Sequence, residues 1–508
     1  MKLGPRSYAI LWDAHAWAGA VASVLLFVVF FLGAFALFAE ELSPWQERTF
    51  RAPIAADDAM ALAVAQRLAD AEAAERQGWF GISLPTDEEP WLRVWRPSGS
   101  SLAYSFVHPV SGERFDQRSD LGDFLNQMHF FGPLPHGQTI AGFASLVLVL
   151  LAVTGFLLQL GSVLRELIRF RPFAKQRRVF WSDAHKVVGV ISLPFFLVFG
   201  LSGAVLGLEE SLDPAVTAAL FDGDAAAMAE VSEWPRLPEP SGVPAPAPDL
   251  RAAYESATAR YPDAVHRWFF IANLGDENAI VDLPGEEPGK IAPFTNVRID
   301  RRGEVIWTRD AGGGNLYAGP VAALYGLHFA SWASLWGKAI WALLSLLGAF
   351  GILAGNLLWI ERRRVKAPTR FDRFLARFTA GGCAGLAIAV AAIFAANQLL
   401  PSDMQGRVGA EKAAFLLAWA GGIAYAFAAR DAAVAAKRLL LGAGYCVLAV
   451  PFLDAALTAR VPFDPRTPWL FATEAGLAIF ACLLLSSAAA IRRMGARRQK
   501  VSAPVTAA

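Results

Sequence analysis

The chain has 508 residues, of which 55% are hydrophobic, and a mean hydropathy of +0.38. So high an apolar content over so long a chain excludes a purely soluble protein and indicates an integral membrane protein. The formal net charge is +1 and the cations cluster in a few short connections, so nucleic acid is excluded as a partner.

Hydropathy predicts eight membrane-spanning helices. Each predicted span is close to the roughly 20 apolar residues that cross a hydrocarbon core. The spans are 16–39, 138–161, 186–208, 337–360, 376–399, 411–429, 437–456 and 468–491. The first could be mistaken for a signal peptide, but its length favours a retained span.

Lysine and arginine crowd into the connections at 165–178 and 362–377 and into the tail at 492–500. The positive-inside rule places these segments, and both termini, in the cytoplasm. Two large polar regions, 40–137 and 209–336, then face outward.

Each outer region reads as a small α+β module. In the first, a helix is predicted at 57–74, strands at 91–95 and 102–107, and a turn at 109–112. In the second, a proline-rich linker at 235–248 precedes a helix near 250–260 and strands around 267–272, 297–299 and 305–307.

Thirty residues that begin at Asp13 return at a constant offset of 170. Nine positions are identical without a gap, which argues for a duplication. The identical residues are Asp13, Ala14, His15, Gly19, Val28, Gly33, Ala34, Glu40 and Leu42, which recur as Asp183, Ala184, His185, Gly189, Val198, Gly203, Ala204, Glu210 and Leu212.

The repeat predicts one helical face. At 100° per residue, Gly19, Gly33 and Glu40 all lie within about 40° of His15. The same holds for Gly189, Gly203 and Glu210 relative to His185. Small residues leave room for a bulky planar group or a close helix partner. We therefore expect His15 and His185 to face each other across a pseudo-two-fold axis.

A second histidine pair accompanies the duplication. The hexapeptide that ends in His129 and Phe130 resembles the one that ends in His328 and Phe329, at an offset of 199. Both histidines precede a span at the outer membrane surface, which is the face opposite to that of the first pair.

Two imidazoles related by a two-fold axis are what a six-coordinate haem iron requires. Structural capping of helix ends, or a non-haem metal, is the alternative. Glu40 and Glu210 either end their helices in water or place carboxylates near the outer haem or an incoming cation. His136, close to His129, is the reserve ligand. His108 and His266 are expected at the surface, and Asp13 and Asp183 as helix N-caps.

No nucleotide-binding fingerprint or P-loop is present. Electrons would therefore come from a membrane quinol or a separate cytoplasmic reductase. The last four spans contain no histidine and show no repeat, so they form an appended bundle of unknown purpose.

The Asp-Ala-His start of spans one and three, the L-x-x-x-H-F before spans two and four, and the outer modules resemble the PepSY-associated transmembrane family, which includes ferric-siderophore reductases. The resemblance covers residues 8 to 364. It implies two haem b groups per chain in the bacterial inner membrane, the cytoplasmic-side haem on His15 and His185 and the periplasmic-side haem on His129 and His328. The implied activity is reduction of ferric siderophores in the periplasm for iron acquisition.

The predicted fold is a mainly α membrane protein with eight transmembrane helices, the first four a pseudo-two-fold duplicated bundle. Its domains are a first repeat at 1–171 with a PepSY-like module at about 50–120, a second repeat at 178–364 with a module at about 245–310, an appended four-helix bundle at 371–495 and a cytoplasmic tail at 496–508. The rival hypothesis is a non-enzymatic membrane scaffold whose outer modules bind or inhibit another protein.

Overall fold

The computed structural model describes residues 4–52, 54–75, 78–98, 101–115, 118–162, 170–172, 176–364 and 368–502. The chain forms two compact units. One comprises Met1–Gln46, Arg118–Gly200 and Trp341–Ala508, and the other comprises Glu47–Gln117 and Leu201–Ile340. We call them the helical unit and the sheet unit and describe each separately.

The described chain is mainly helical, with a set of antiparallel strands. The helices are α1 Pro5–Ala36, α2 Ser43–Gln46, α3 Asp58–Ala74, α4 Leu121–His129, α5 Gly137–Gln159, α6 Arg177–Ile191, α7 Leu193–Leu220, α8 Ala225–Ser232, α9 Leu250–Arg260, α10 Ala318–Phe329, α11 Leu335–Arg364, α12 Arg370–Thr379, α13 Gly385–Leu399, α14 Arg407–Ala428, α15 Ala432–Thr458 and α16 Pro468–Ser502. The strands are β1 Gly78–Ser83, β2 Leu92–Ser98, β3 Ser101–Val107, β4 Arg114–Phe115, β5 Val265–His266, β6 Trp268–Leu274, β7 Ile280–Glu286, β8 Phe294–Asp300 and β9 Val305–Arg309.

Seven helical segments among the described residues are long and apolar enough to cross a membrane. They are Pro5–Ala36, Gly137–Gln159, Leu193–Leu220, Leu335–Arg364, Arg370–Leu399, Ala432–Thr458 and Pro468–Ile491. The protein is therefore a multi-pass membrane protein. The predicted span 411–429 falls in α14, which is not among the seven and carries Arg407, Glu411 and Lys412 in its first two turns. A count of eight spans stays a prediction.

Close packing of apolar side chains holds the helical unit together. Leu32 of α1, Phe394 of α13 and Phe415 of α14 are fully or almost fully buried in one hydrophobic cluster. Glycines let α13 and α14 approach closely: a Cβ added at Gly422 would lie 2.8 Å from the Cα of Gly385. Side-chain-free positions of this kind are how membrane helices gain van der Waals contact without a hydrophobic driving force.

The two segments that share the nine identical positions differ in structure. The first lies on α1, which is unbroken, whereas the second is divided at Ser192 into α6 and α7. Pro194 lies in the first turn of α7, where its missing N–H costs no helical hydrogen bond. The prediction of a single regular helix over 186–208 is therefore wrong, because the proline favours a new helix start at this point.

The strands form one antiparallel sheet in the order β4-β3-β2-β1-β6-β7-β8-β9, with β5 paired to β7. Strands β1 to β4 come from the first predicted outer region and β5 to β9 from the second. The two regions join where β1 pairs with β6, with Phe80 opposite Ile271 and Ile82 opposite Phe269. These side chains are fully buried in a core shared with α3 and α9.

The caps of α3 and α9 follow directly from the sequence. The side chains of Asp57 and Asp249 accept hydrogen bonds from the backbone N–H groups of Met60 and Ala252, which satisfies an otherwise orphan donor at each helix start. Both helices lie where the sequence predicts them.

Candidate functional site

The first and third predicted spans bring two histidines together. His15 lies on α1 and His185 on α6, and their ring centroids are 6.0 Å apart with an angle of 59° between the ring planes. A bond between a metal ion and an imidazole nitrogen is about 2.0–2.1 Å long, so two rings that bind one ion from opposite sides have centroids roughly 6 Å apart. The observed spacing fits bis-imidazole ligation of one iron.

Hydrogen bonds fix the rings of His15 and His185, which we call the inner pair. His15 Nδ1 lies 3.0 Å from Thr154 Oγ1, and His185 Nδ1 lies 2.9 Å from the carbonyl oxygen of Gly351. The Thr154 hydroxyl donates to the Leu150 carbonyl oxygen at 2.7 Å, so its oxygen accepts from His15. Both Nδ1 atoms therefore carry the proton, and Nε2 keeps the lone pair that a metal needs.

Glycines on two further helices make room for the same rings. A Cβ added at Gly155 of α5 would lie 3.0 Å from His15 Cε1, and one added at Gly355 of α11 would lie 2.7 Å from His185 Cε1. Each ring thus packs against helix backbone, as expected where a close approach excludes any side chain. Sequence comparison alone matched these glycines at an offset of 200 but did not assign them to the inner histidines.

His129 lies in the helical unit, at the end of α4. Its Nδ1 is 2.6 Å from the carbonyl oxygen of Val29 on α1, so this nitrogen donates as well. The ring packs on Gly33, where an added Cβ would lie 2.8 Å from His129 Cε1. Gly33 was predicted to face a haem, and its observed neighbour is the outer histidine itself.

His328 lies in the sheet unit, on α10. Its Nδ1 is 2.8 Å from the hydroxyl oxygen of Ser202 on α7, a residue with no exposed surface. The adjoining Phe329 ring stands edge-on at 5.5 Å between centroids. All four predicted histidine ligands are therefore half-buried and oriented through Nδ1, the arrangement in which a neighbour fixes a metal-binding imidazole.

The predicted stripe from histidine to glutamate is wrong in both copies. Helix α1 ends at Ala36, so Glu40 lies in the turn beyond it and is exposed. Glu210 lies on α7, across the break from His185, and is also exposed. The periodicity argument assumed regular helices, and neither copy stays regular as far as its glutamate.

The remaining predicted small residues have different surroundings. A Cβ added at Gly19 would lie 3.7 Å from the Leu151 side chain, so Gly19 serves a helix contact between α1 and α5. Gly189 has no heavy atom within 4 Å of an added Cβ. Gly203 is half-buried on α7, next to the serine that orients His328.

Two further predictions, the N-cap roles of Asp13 and Asp183, are wrong. Asp13 and Asp183 are not N-caps, because α1 begins at Pro5 and α6 at Arg177, well before them. Asp183 instead forms a two-pronged ion pair with Arg171, whose guanidinium holds the pKa of Asp183 below its usual value.

Of the two histidines expected at the surface, His266 is buried, with 4% of its surface exposed. Burial lowers the pKa of this side chain, because the charged imidazolium would lose its hydration. The reserve ligand His136 is exposed and precedes α5 in a left-handed backbone conformation.

Sequence reasoning missed two buried charge networks in the appended helices. Glu411 has no exposed surface, accepts a hydrogen bond from Ser119 and forms an ion pair with Arg407 at 2.8 Å. Arg460 bridges two carboxylates, Asp454 and Glu474, which also have no exposed surface. Arg407 and Glu411 stand four residues apart on α14, a spacing that is visible in the sequence. The contacts of Glu411 with Ser119 and of Glu474 with Arg460 join more distant segments, and no local pattern predicts them.

The apolar helices, the antiparallel sheet and the histidines on neighbouring helices define a multi-pass membrane protein with a sheet-bearing polar region. The chain belongs to the family described as the PepSY-associated TM region, whose model matches residues 12–362. That match includes all four histidines and ends before α12. The chain is also similar to the uncharacterized protein PA4219 of Pseudomonas aeruginosa, with 28% identity over 306 residues that cover 56% of this chain and 76% of the relative.

Proposed function

We propose that the protein binds haem b and is an electron-transfer protein of the bacterial inner membrane that reduces ferric siderophore complexes at its periplasmic face. The observation that carries the proposal is the inner pair, because His15 and His185 stand at the separation that one iron ion requires. The oriented Nδ1 atoms support it, since a purely structural histidine has no need to keep Nε2 as the lone-pair nitrogen.

The residues that would hold the cofactors fall into two sets. His15 and His185 would hold the cytoplasmic-side haem, and His129 and His328 would hold the periplasmic-side haem. When bound, haem b would supply one-electron redox chemistry. The chain's own contribution is to fix the rings through Thr154, Gly351, Val29 and Ser202.

The donor and the acceptor belong to the proposal as well. A membrane quinol or a separate cytoplasmic reductase would supply electrons, and a ferric siderophore would accept them at the sheet unit. The distribution of lysine and arginine supports this direction, because the connections next to the inner pair carry the cations that mark the cytoplasmic side.

A scaffold function is the second candidate, and one feature of the sheet favours it. The terminal strand β9 exposes Val305 and Ile306, with 45% and 53% of their surfaces accessible. Exposed apolar side chains on an edge strand suit the addition of a strand from another protein. This function predicts a protein that needs no haem.

The deciding experiment is a haem count on detergent-purified protein produced with sufficient haem. We expect about two b-type haems per chain by pyridine haemochrome assay, about one after His15→Ala or His185→Ala, and about one after His328→Ala. His136→Ala is the matched control and should keep the wild-type count. Absence of a Soret band from the wild type would remove the proposal in favour of the scaffold.

A further inference from the structure

A polar cavity of about 300 Å³ lies in the helical unit beside the inner histidine pair. It is formed by the first three turns of α6 and the last turn of α11, with Arg171 from the connection before α6. The lining residues are Arg171, Arg178, Val179, Ser182, Asp183, Lys186 and Arg362. None of them is assigned to a cofactor or a substrate in the function proposed above.

The charges of this lining are strongly unequal. Among the lining residues that the structure describes, four of seven are cations and Asp183 is the only carboxylate. Arg171 holds that carboxylate with two hydrogen bonds, Nε to Oδ2 at 2.7 Å and Nη2 to Oδ1 at 2.9 Å. The nearby Glu361 is outside the lining and contacts Arg177 and Arg364 instead. The cavity therefore keeps an excess of positive charge.

Two further features direct positive potential into the cavity. The side chain of Gln176, the N-cap residue, makes no capping hydrogen bond, so the first turn of α6, a helix of 15 residues, presents backbone N–H groups and the positive end of the helix dipole. Arg362 is held in place by the Trp12 ring, with its guanidinium carbon 4.6 Å from the ring centroid. A pre-positioned guanidinium loses less freedom when it binds an anion.

The chemistry that matches this lining is a phosphate group. Arginine forks pair with two oxygens of one phosphate, and a serine hydroxyl and helix N–H groups supply further donors. Trp12 and Trp17, whose rings contact Arg362 and Arg363, are the aromatic residues typical of the headgroup level of a bilayer. An anionic headgroup or a soluble phosphate could both reach a cavity at this level.

We propose that this cavity is a binding site for a phosphate-bearing anion on the side of the membrane where the cationic connections lie. None of the four histidines is among the described lining residues, so the anion would be held by side chains other than the proposed haem ligands. Its occupant is the phosphate of an anionic phospholipid or a free phosphate, and both present the same oxygens to Arg178 and Arg362.

The test uses the full chain, stripped of lipid in detergent, and two probes. In one arm the protein enters nanodiscs of phosphatidylcholine with or without phosphatidylglycerol, and retained phosphatidylglycerol is counted by native mass spectrometry. In the other arm inorganic phosphate is titrated by calorimetry. The test variant is Arg178→Ala with Arg362→Ala. The control is Arg466→Ala, which removes an exposed arginine paired with Asp464 in a distant loop.

We expect the wild type and Arg466→Ala to bind one probe alike, and the double variant to bind it at least about tenfold more weakly, since charge-assisted hydrogen bonds are lost. If the double variant loses only the binding of phosphatidylglycerol, the occupant is a lipid headgroup. If it loses only the binding of inorganic phosphate, the occupant is a soluble anion. Equal binding by wild type and double variant, or none by the wild type, overturns the proposal. Loss of bound haem with unchanged binding of both probes also overturns it, because the cavity would then serve the cofactor.

Discussion

The two histidines of the inner pair lie on helices of different form and are held by different hydrogen-bond acceptors. His15 stands on an unbroken helix and is held by a side chain, the hydroxyl of Thr154. His185 stands on a helix that ends six residues later, at Ile191, and its ring is held by the backbone carbonyl of Gly351. In both copies, however, a glycine on the partner helix admits the ring. The partner helices, α5 and α11, thus position the imidazoles, and the continuity of the histidine's own helix matters less.

The substitution Gly355→Ala should have the largest effect on stability and on haem content. In Gly355→Ala, the new Cβ would lie 2.7 Å from His185 Cε1 and 2.9 Å from Nδ1, so the ring must turn and give up its bond to Gly351. We expect a loss of about 1–3 kcal/mol in stability from overpacking, together with loss of the inner haem. Thermal unfolding in detergent and the haem count measure the two effects.

Gly155→Ala and Gly189→Ala test whether the defect depends on the space left for the histidine ring. The first places its Cβ 3.0 Å from His15 Cε1 and should show a weaker form of the same defect, whereas the second meets no atom within 4 Å and serves as the control. A Gly189→Ala protein as damaged as Gly355→Ala would show that helix flexibility, and not room for the ring, is what these glycines provide.

A smaller effect is expected from Thr154→Val, which removes the acceptor of His15 and keeps the side-chain shape. Loss of a partner that orients a metal-binding imidazole typically weakens metal affinity by about 10–100-fold. The inner haem should therefore dissociate faster in a transfer assay to apomyoglobin. No side-chain substitution can remove the Gly351 carbonyl, so this sensitivity is confined to the first copy.

Ser145→Ala is the matched control for Thr154→Val. Ser145 is also buried on α5, and its hydroxyl donates to the Ala141 carbonyl oxygen of its own helix. Haem transfer at the wild-type rate in Thr154→Val, or equally fast transfer in Ser145→Ala, would contradict a role for the Thr154 hydroxyl in holding His15.

The smallest effect is expected from Pro194→Ala. Because this proline occupies the first turn of α7, its replacement restores no lost hydrogen bond, and the stability should change by less than about 1 kcal/mol. The haem count should stay at its wild-type value. A loss of inner haem in this variant would mean that the break at Ser192 itself sets the position of His185.

Local sequence patterns predict much of the fold. Seven apolar runs become long helices, and α3 and α9 lie where the aspartate caps and the periodicity predict them. Strands β1 and β7 were missed because they contain Gly81 or the pair Pro284 and Gly285, which ordinarily signal a break. The pairing of β1 with β6 joins segments almost two hundred residues apart, and no local pattern encodes it.

The sequence likewise predicted one part of the candidate site and not the rest. The duplication predicted that His15 and His185 would face each other, and the structure places their rings 6.0 Å apart. The stripe that was to end at Glu40 and Glu210 depended on helix regularity over 25 residues, which one helix end and one break remove. Thr154 and Gly351 act through contacts between helices, so their roles became visible only in three dimensions.

The most direct test of the central claim is electron paramagnetic resonance of the oxidised, purified protein and of its His185→Ala variant. Ligation of one iron by His15 and His185 predicts low-spin signals from two haems in the wild type and loss of one of these signals in the variant, because the inner haem dissociates when one of its two imidazole ligands is removed. His136→Ala should match the wild type. An unchanged low-spin spectrum in His185→Ala, with both haems still bound, would contradict the account.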